Sequence, residues 1–190
     1  MKVLAYIIVV VLLLSGGGLL AYARWSQPIV DADAALAGGQ LDTARALYES
    51  AEVRFDRTPV VRQFLAAEYA HVVAGHLTTL YDLKRYDDTI DLADHAPMGA
   101  SPHFWSGCAF FEKGAAEEKP DARLGWFSRA EEEFHKALEA APDDWDTKYD
   151  FELTTRLADA LRKQPKTPPK QLMQLLRPQN TSNKAVRKVG

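Results

Sequence analysis

The spacing of small and aromatic residues between positions 107 and 142 restricts this chain more strongly than any other feature. Two sets occur, each with members three or four residues apart: Gly107, Phe110 and Gly114, then Ala130, Phe134 and Ala137, with Pro142 after them. Residues at these intervals share one face of a helix. Small residues let two helix backbones approach, an aromatic ring fills the remaining space, and a proline ends the second helix. The spacing therefore predicts two closely packed antiparallel helices.

These residues resemble the tetratricopeptide repeat, a family in which such helix pairs stack side by side. The second set is a close match, and the first set also fits. Gly114 and Ala130 are sixteen positions apart, where the family usually has about five, so the repeat contains about eleven extra residues. Within them, Pro120 followed by Asp121 predicts a helix start, which lengthens the second helix at its front.

A second match to the repeat lies near the beginning of the chain. Gly38 and Gly39 predict the end of a short helix over residues 28–37, and residues 41–54 predict its antiparallel partner. The positions that match the family's turn and second helix are Gly39, Leu41, Asp42, Ala44, Tyr48 and Ala51. The repeat thus occurs at least twice.

The remaining segments also predict helices. A helix start at Pro59 opens one long helix to about position 83, and residues 86–96 predict a shorter one. Asp144 and Trp145 predict the start of a capping helix that ends near position 162. The apolar residues at helical spacing that we expect this helix to use for packing are Tyr149, Phe151, Leu153, Leu157 and Leu161. No sustained alternation of apolar and polar residues indicates a strand. The sequence therefore predicts an all-helical fold, a tetratricopeptide-like solenoid of antiparallel helical hairpins.

An uncharged apolar run, residues 3–22, opens the chain. As a helix it measures about 30 Å, which is enough to cross a bilayer. Lys2 and the amino terminus before the run favour a cytoplasmic start and an exported body. We expect a transmembrane signal anchor over residues 1–24. The small residues Ala21 and Ala23 leave a cleaved signal peptide open as the alternative.

Charge divides the rest of the chain into a helical domain over residues 25–162 and a tail over residues 163–190. Residues 1–161 contain 15 Lys and Arg against 26 Asp and Glu, a net charge of −11, whereas residues 162–190 contain eight basic residues and no acid. Four prolines interrupt the tail, although residues 171–176 predict one further helical turn. We expect a largely disordered basic tail, with binding to anionic lipid headgroups or an acidic partner as alternatives. An exported domain does not meet nucleic acid, so none is expected.

No motif in the sequence indicates catalysis. It contains no glycine-rich phosphate loop, no GxSxG and no HExxH. Cys108 is the single cysteine, and its small neighbours predict a helix-packing role. We therefore expect neither enzymatic activity nor a cofactor.

Two patterns raise the question of a metal. Glu68 with His71 and Glu132 with His135 have the Glu-x-x-His spacing of dinuclear sites in helical bundles, but such a site needs two further inward glutamates. The acidic clusters near positions 87–94 and 143–152 lack the glycine turn and final glutamate of a calcium loop. We interpret them as solvated faces and expect no metal site.

The tetratricopeptide resemblance implies a binding surface on the inner face of the first helix, where relatives hold extended peptides. It transfers to five positions: Ser101, Phe104, Cys108, Phe111 and Glu112. Phe104 and Phe111 are either the apolar anchors of this surface or part of the core. We expect the surface to bind a protein partner.

The run Asp-Asp-Trp-Asp-x-Lys-Tyr at residues 143–149 resembles membrane-anchored repeat proteins encoded beside MoxR-type ATPases and von Willebrand factor A proteins. The layout of one anchor and divergent repeats in 190 residues, together with the segment at residues 102–105, is similar to accessory proteins of bacterial methanol-oxidation clusters. This resemblance implies a single-pass inner-membrane protein with a periplasmic domain that assists maturation of methanol dehydrogenase, including calcium insertion. Its implied partners are von Willebrand factor A and MoxR-associated proteins and the dehydrogenase subunits. A general module of protein-export quality control or stress response and a metal-delivery protein are the alternatives.

Overall fold

The computed structural model describes residues 2–163, except for the side chains at positions 2–5 and 7–9. Over these residues the chain forms α-helices, one 3-10 helix and no strand. The helices are α1 (Lys2–Ala37), α2 (Leu41–Asp56), α3 (Pro59–Phe64), α4 (Ala66–Asp82), α5 (Tyr86–Ala93), α6 (Pro102–Ala116), α7 (Pro120–Ala140) and α8 (Trp145–Arg162), and the 3-10 helix is Met98–Ala100. The predicted all-helical fold is confirmed for the described part of the chain.

The helices form consecutive pairs, because each short turn folds the chain back on itself. α1 packs against α2, α4 against α5, and α6 against α7. The second helix of each pair also contacts the first helix of the next, so α2 lies against α4, α5 against α6 and α7 against α8. One layer therefore contains α1, α4, α6 and α8, and the other contains α2, α5 and α7. The predicted succession of antiparallel helix pairs is confirmed.

The pair α6–α7 closes through aromatic rings that pack onto glycines, as the spacing predicts. A Cβ atom at Gly107 would lie 2.7 Å from Phe134, and one at Gly114 would lie 2.7 Å from Phe127. No side chain larger than hydrogen fits at these two positions without displacing a ring. The extra residues lengthen α7, which begins at Pro120 as predicted and contains 21 residues.

The first helix differs from the prediction, because no break separates the apolar run from the first repeat. α1 contains 36 residues and runs through Pro28, which makes it about 54 Å long. Gly39, at φ +69°, follows its last turn as predicted. From Trp25 onward most of its apolar side chains pack against α2 and α4, whereas the large apolar side chains between Val10 and Tyr22 are exposed.

Among the described residues, no helix combines the length and the apolar character needed to span a membrane. The anchor expected over residues 1–24 includes positions whose side chains lie outside the description. Residues 164–190 also lie outside it, and with them the turn expected at 171–176. The division into anchor, domain and tail therefore stays a prediction.

The long helix predicted from position 59 to about position 83 is broken at Leu65, so that prediction is wrong. The chain turns there, with φ −108° and ψ 45° at Leu65, and α4 begins at the next residue. Val61, Leu65 and Tyr69 all pack against the core formed by α1, α2 and α4, while Phe64 is 85% exposed. Neither glycine nor proline marks the break. Packing against α2 therefore determines where the chain turns, and local helix propensity does not indicate this position.

Candidate protein-binding surface

The five residues predicted to bind a partner follow one another along α6 and its N-terminal cap. Ser101 is exposed and holds a left-handed backbone, φ +53°, just before the first turn of the helix. Phe104, Phe111 and Glu112 are half-buried, and Cys108 is buried. The surface therefore offers a partner the edges of two aromatic rings and one carboxylate, whereas Cys108 between them is inaccessible. Whether a partner binds there stays a prediction.

Phe104 and Phe111 each have one side in the core. The ring of Phe104 lies 5.3 Å from Trp105 and 6.3 Å from Phe134, measured between centroids. The ring of Phe111 lies 5.4 Å from Phe127. Aromatic pairs at these separations stabilise a core beyond the area they bury. Removal of either ring would therefore damage the α6–α7 pair as well as any contact with a partner.

Cys108 lies at the centre of this surface, and its thiol is weakly reactive. Its side chain packs with Phe134 and neighbouring aromatic rings. Burial, and secondarily the carboxylates of Asp150 and Glu112, raise the pKa of the thiol to about 12. The nucleophilic thiolate is therefore scarce at neutral pH, and the side chain serves as packing.

α8 supplies a second part of the surface, from apolar residues that were predicted to pack. Tyr149, Leu153 and Leu157 recur every four residues and form a stripe along one side of the helix. Tyr149 is 67% exposed and Leu157 is 36% exposed. The buried face of α8 consists instead of smaller residues: Thr147, Thr154 and Ala158. The two threonines are seven positions apart, an interval that places them on one face of the helix. This spacing is the signal in the sequence that indicates the buried face of α8.

Two carboxylates, Glu112 on α6 and Asp150 on α8, influence the same tyrosine, Tyr81. Burial chiefly raises the pKa of Tyr81, and Cys108, Glu112, Tyr86 and Asp150 raise it further. The pKa of Asp150 is itself raised, first by burial and then by the charges of two neighbouring aspartates.

Three basic side chains near this surface are paired with other carboxylates, and Arg123, which lines the cavity beside Leu157, donates to the backbone carbonyl of Glu117 at 2.7 Å. Lys113 pairs with Asp87, Arg156 pairs with Glu152, and Arg162 pairs with Glu131 and Asp159. Within residues 2–163, neither Glu112 nor Asp150 forms an ion pair. The α6–α8 surface, defined by Phe104, Phe111 and Glu112 of α6 and Tyr149, Asp150, Leu153 and Leu157 of α8, is therefore apolar and acidic.

Two small cavities lie at opposite ends of the α6–α8 surface. One, of about 120 Å³, is lined by residues that include Ser101, Phe104 and Thr147. The other, of about 230 Å³, is lined by residues that include Phe127, Leu157 and Leu161. Ligand sites for drug-sized molecules usually occupy about 300 to 1,000 Å³. These cavities fit individual side chains of a bound peptide better than they fit a metabolite.

The two Glu-x-x-His pairs do not come together. His71 contacts Asp33 through Nε2 at 3.0 Å, whereas Glu132 pairs with Lys136 on α7 at 2.9 Å. Among the described residues, no group of three or more His, Cys, Asp and Glu side chains is arranged to hold a metal ion.

The acidic residues before α8 have a structural role. Asp144 accepts hydrogen bonds from the backbone of Asp146 at 3.1 Å and from the hydroxyl of Thr147 at 2.7 Å. The Thr147 bond is the main reason that the pKa of Asp144 is lowered. The predicted helix cap is confirmed.

No protein-family model matches the chain, and no curated protein matches it. Among solved structures, the NMR structure of the first TPR domain of the human RPAP3 protein is similar to it. The two are 12% identical, the match covers 75% of this chain and 98% of that chain, and the TM-score is 0.49. A likeness of this degree adds no argument to the helix pairs described above.

Proposed function

We propose that this chain is a non-catalytic scaffold that binds a protein partner on the α6–α8 surface. The observation that carries the proposal is the exposed Tyr149 and Leu157 on α8, a helix in contact with α6, which bears the half-buried rings of Phe104 and Phe111. Exposed aromatic and aliphatic side chains next to small cavities are the usual anchors of a protein interface. The carboxylates of Glu112 and Asp150 favour a partner segment with basic side chains.

Attachment to a membrane is the second part of the proposal. It rests on the uncharged apolar run at residues 3–22. The exposed side chains on α1, among them Leu13, Leu14, Leu19 and Leu20, support it, because each is at least 70% exposed and such a surface is costly in water. The helical domain would then lie at the periplasmic side of a bacterial inner membrane.

The most specific part of the proposal concerns the identity of the partners. The sequence resembles MxaK, an accessory protein of bacterial methanol-oxidation clusters, through its single apolar anchor, its length, its divergent repeats and residues 102–105. On that basis, the scaffold assists maturation of periplasmic methanol dehydrogenase, including calcium insertion. Its partners would be von Willebrand factor A and MoxR-associated proteins or the dehydrogenase subunits. The chain would hold a partner near the membrane without making or breaking a bond.

Affinity purification of the full-length tagged chain from gently solubilised native membranes tests this proposal. The variant combines Tyr149→Ala with Glu112→Gln. It leaves Phe104 and Phe111 in place, because their rings also belong to the core. Phe64→Ala is the control, since Phe64 is an exposed aromatic on α3. We expect the dehydrogenase or its accessory proteins to accompany the unchanged chain and the control, and to fall about tenfold with the variant.

Other outcomes separate the alternatives. Recovery of translocon components or general chaperones instead would favour protein-export quality control. Equal recovery with the variant and the control would show that the α6–α8 surface is not the binding site. Stoichiometric calcium binding in calorimetry would favour a metal-delivery role.

A further inference from the structure

The α6–α8 surface lies directly beside the point at which the described chain ends. Leu157, Ala160 and Leu161, in the last turns of α8, line the cavity of about 230 Å³. α8 ends at Arg162. The following residues therefore start next to the apolar stripe, and the local concentration of this segment at the surface is high.

The composition of that segment complements the surface. Residues 164–177 contain three basic residues and no acid. They also contain four apolar side chains close together: Leu172, Met173, Leu175 and Leu176. The surface offers apolar side chains flanked by Glu112 and Asp150, and neither carboxylate forms an ion pair with a described side chain. The basic charge and the apolar side chains of the segment therefore complement the acidic charge and the apolar side chains of the surface.

The chain is long enough to make the contact. Eight residues, 164–171, precede the apolar side chains, and they span up to about 26 Å when extended. α8 contains 18 residues and is about 27 Å long. Leu172 and its neighbours can therefore reach any position along the stripe, from Leu157 back to Tyr149.

We propose that residues 164–177 of the same chain lie on the α6–α8 surface, with their leucines and methionine on the stripe and their basic residues beside Glu112 and Asp150. This inference concerns the surface named in the proposed function, but it requires no external partner. The two proposals therefore fail in different experiments.

Photocross-linking in the purified full-length chain, in a neutral detergent, tests the inference. Benzoylphenylalanine replaces Tyr149 in one protein and Phe64 in the control, so that an exposed aromatic is exchanged for an aromatic probe in both. After irradiation and proteolysis, mass spectrometry identifies the attached peptide. We expect the probe at position 149 to attach to residues 164–177 of its own chain, without a band of dimer mass. The probe at position 64 should not attach there.

Neutralising the two carboxylates tests the charge contribution. Glu112→Gln combined with Asp150→Asn should lower the yield at position 149 by about three- to tenfold. Asp91→Asn combined with Asp94→Asn makes the same change in net charge on exposed residues of the α5 region and should leave the yield unchanged. Three results would overturn the proposal: a cross-link at dimer mass, attachment to other residues, or equal labelling from both probe positions.

Discussion

Tyr48 on α2 and Phe134 on α7 have corresponding places in the first and last helix pairs, and each is only 1% exposed. Phe134 packs onto Gly107 within its own pair, where a Cβ atom would lie 2.7 Å from the ring. Tyr48 instead packs onto Gly75 of α4, which belongs to the next pair. The same combination of a small and an aromatic residue therefore closes one hairpin and joins two hairpins elsewhere.

The two regions also differ in how far their polar contacts extend. The hydroxyl of Tyr48 donates a hydrogen bond to Asp33 of α1 at 2.6 Å, and His71 of α4 contacts the same carboxylate at 3.0 Å. This network connects three helices. The α6–α7 pair has a polar contact within the hairpin, between His103 Nδ1 and Glu133 at 2.7 Å, and ring pairs such as Phe110 stacked on Trp126 at 6.0 Å between centroids. One shared carboxylate therefore joins three helices near the N-terminus, whereas this polar contact near the C-terminus stays within one hairpin.

Phe134→Ala should have the largest effect. The substitution leaves a cavity between α6 and α7 and removes the contacts with Gly107 and Phe104, so the free energy of unfolding should fall by about 3 to 5 kcal/mol. Guanidinium unfolding followed by circular dichroism measures it. Phe64→Ala, on a side chain that is 85% exposed, should change the same quantity by no more than about 0.5 kcal/mol. Equal effects of the two substitutions would contradict the described packing.

Gly107→Ala should have the second-largest effect. The added methyl group collides with Phe134, and overpacking of this kind costs about 1 to 3 kcal/mol. Gly125→Ala is a matched control within α7, because a Cβ atom at Gly125 meets nothing within 4 Å. It should stabilise the protein by about 0.5 to 1 kcal/mol, since alanine favours a helix interior over glycine. Opposite signs in thermal unfolding are thus expected from the same chemical change.

The sequence was sufficient to predict the structure where the packing contacts lie within one hairpin. The spacing around Gly107 and Phe134 predicted the α6–α7 pair, and Pro120 predicted the start of α7, because small residues, rings and helix caps act within one hairpin. The sequence was insufficient to predict the structure where contacts between distant segments determine the backbone conformation. The turn at Leu65 depends on a core built by α1, α2 and α4, and nothing in the local sequence marks it.

The candidate surface was only partly predictable for the same reason. The tetratricopeptide resemblance implied Phe104, Phe111 and Glu112, but it left open whether the two rings are anchors or core, and one side of each ring packs in the core. On α8, an amphipathic pattern indicated that Tyr149 and Leu157 face the protein. They are exposed, because threonines and an alanine let α7 approach the opposite face. Apolar periodicity identifies a face, and the neighbouring helix decides whether that face is covered.

Tyr48→Phe tests the polar network of the first pair. Burial, and secondarily Asp33, raise the pKa of Tyr48, so its hydroxyl remains a donor. The substitution keeps the ring on Gly75 and removes one hydrogen bond to a carboxylate, which should lower the free energy of unfolding by about 1 to 2 kcal/mol. Tyr149→Phe, on an exposed ring, should have no measurable effect in the same denaturant titration. An unchanged stability for Tyr48→Phe would show that packing alone holds this pair.

The smallest effects are expected for two carboxylates on the C-terminal side of α7, and they should have opposite signs. The folded protein raises the pKa of Asp150, chiefly by burial, so the folded state holds a proton that the unfolded state has lost. Stability therefore decreases as pH rises from the ordinary pKa of aspartate through the raised one. Asp150→Asn should add up to about 0.5 kcal/mol at neutral pH, and this gain should disappear below the ordinary pKa.

Asp144→Asn provides the opposite case. The hydrogen bond from Thr147 lowers the pKa of Asp144, so its contribution is present above the ordinary pKa of aspartate and is lost as pH falls through the lowered one. Asparagine is also a good helix cap, which limits the loss at neutral pH to the contribution of the charge. Unfolding titrations at neutral and acidic pH, at high salt to screen the basic tail, compare the two variants. Changes of the same sign at neutral pH would mean that burial does not govern Asp150, and the acidic character of the α6–α8 surface would then need another explanation.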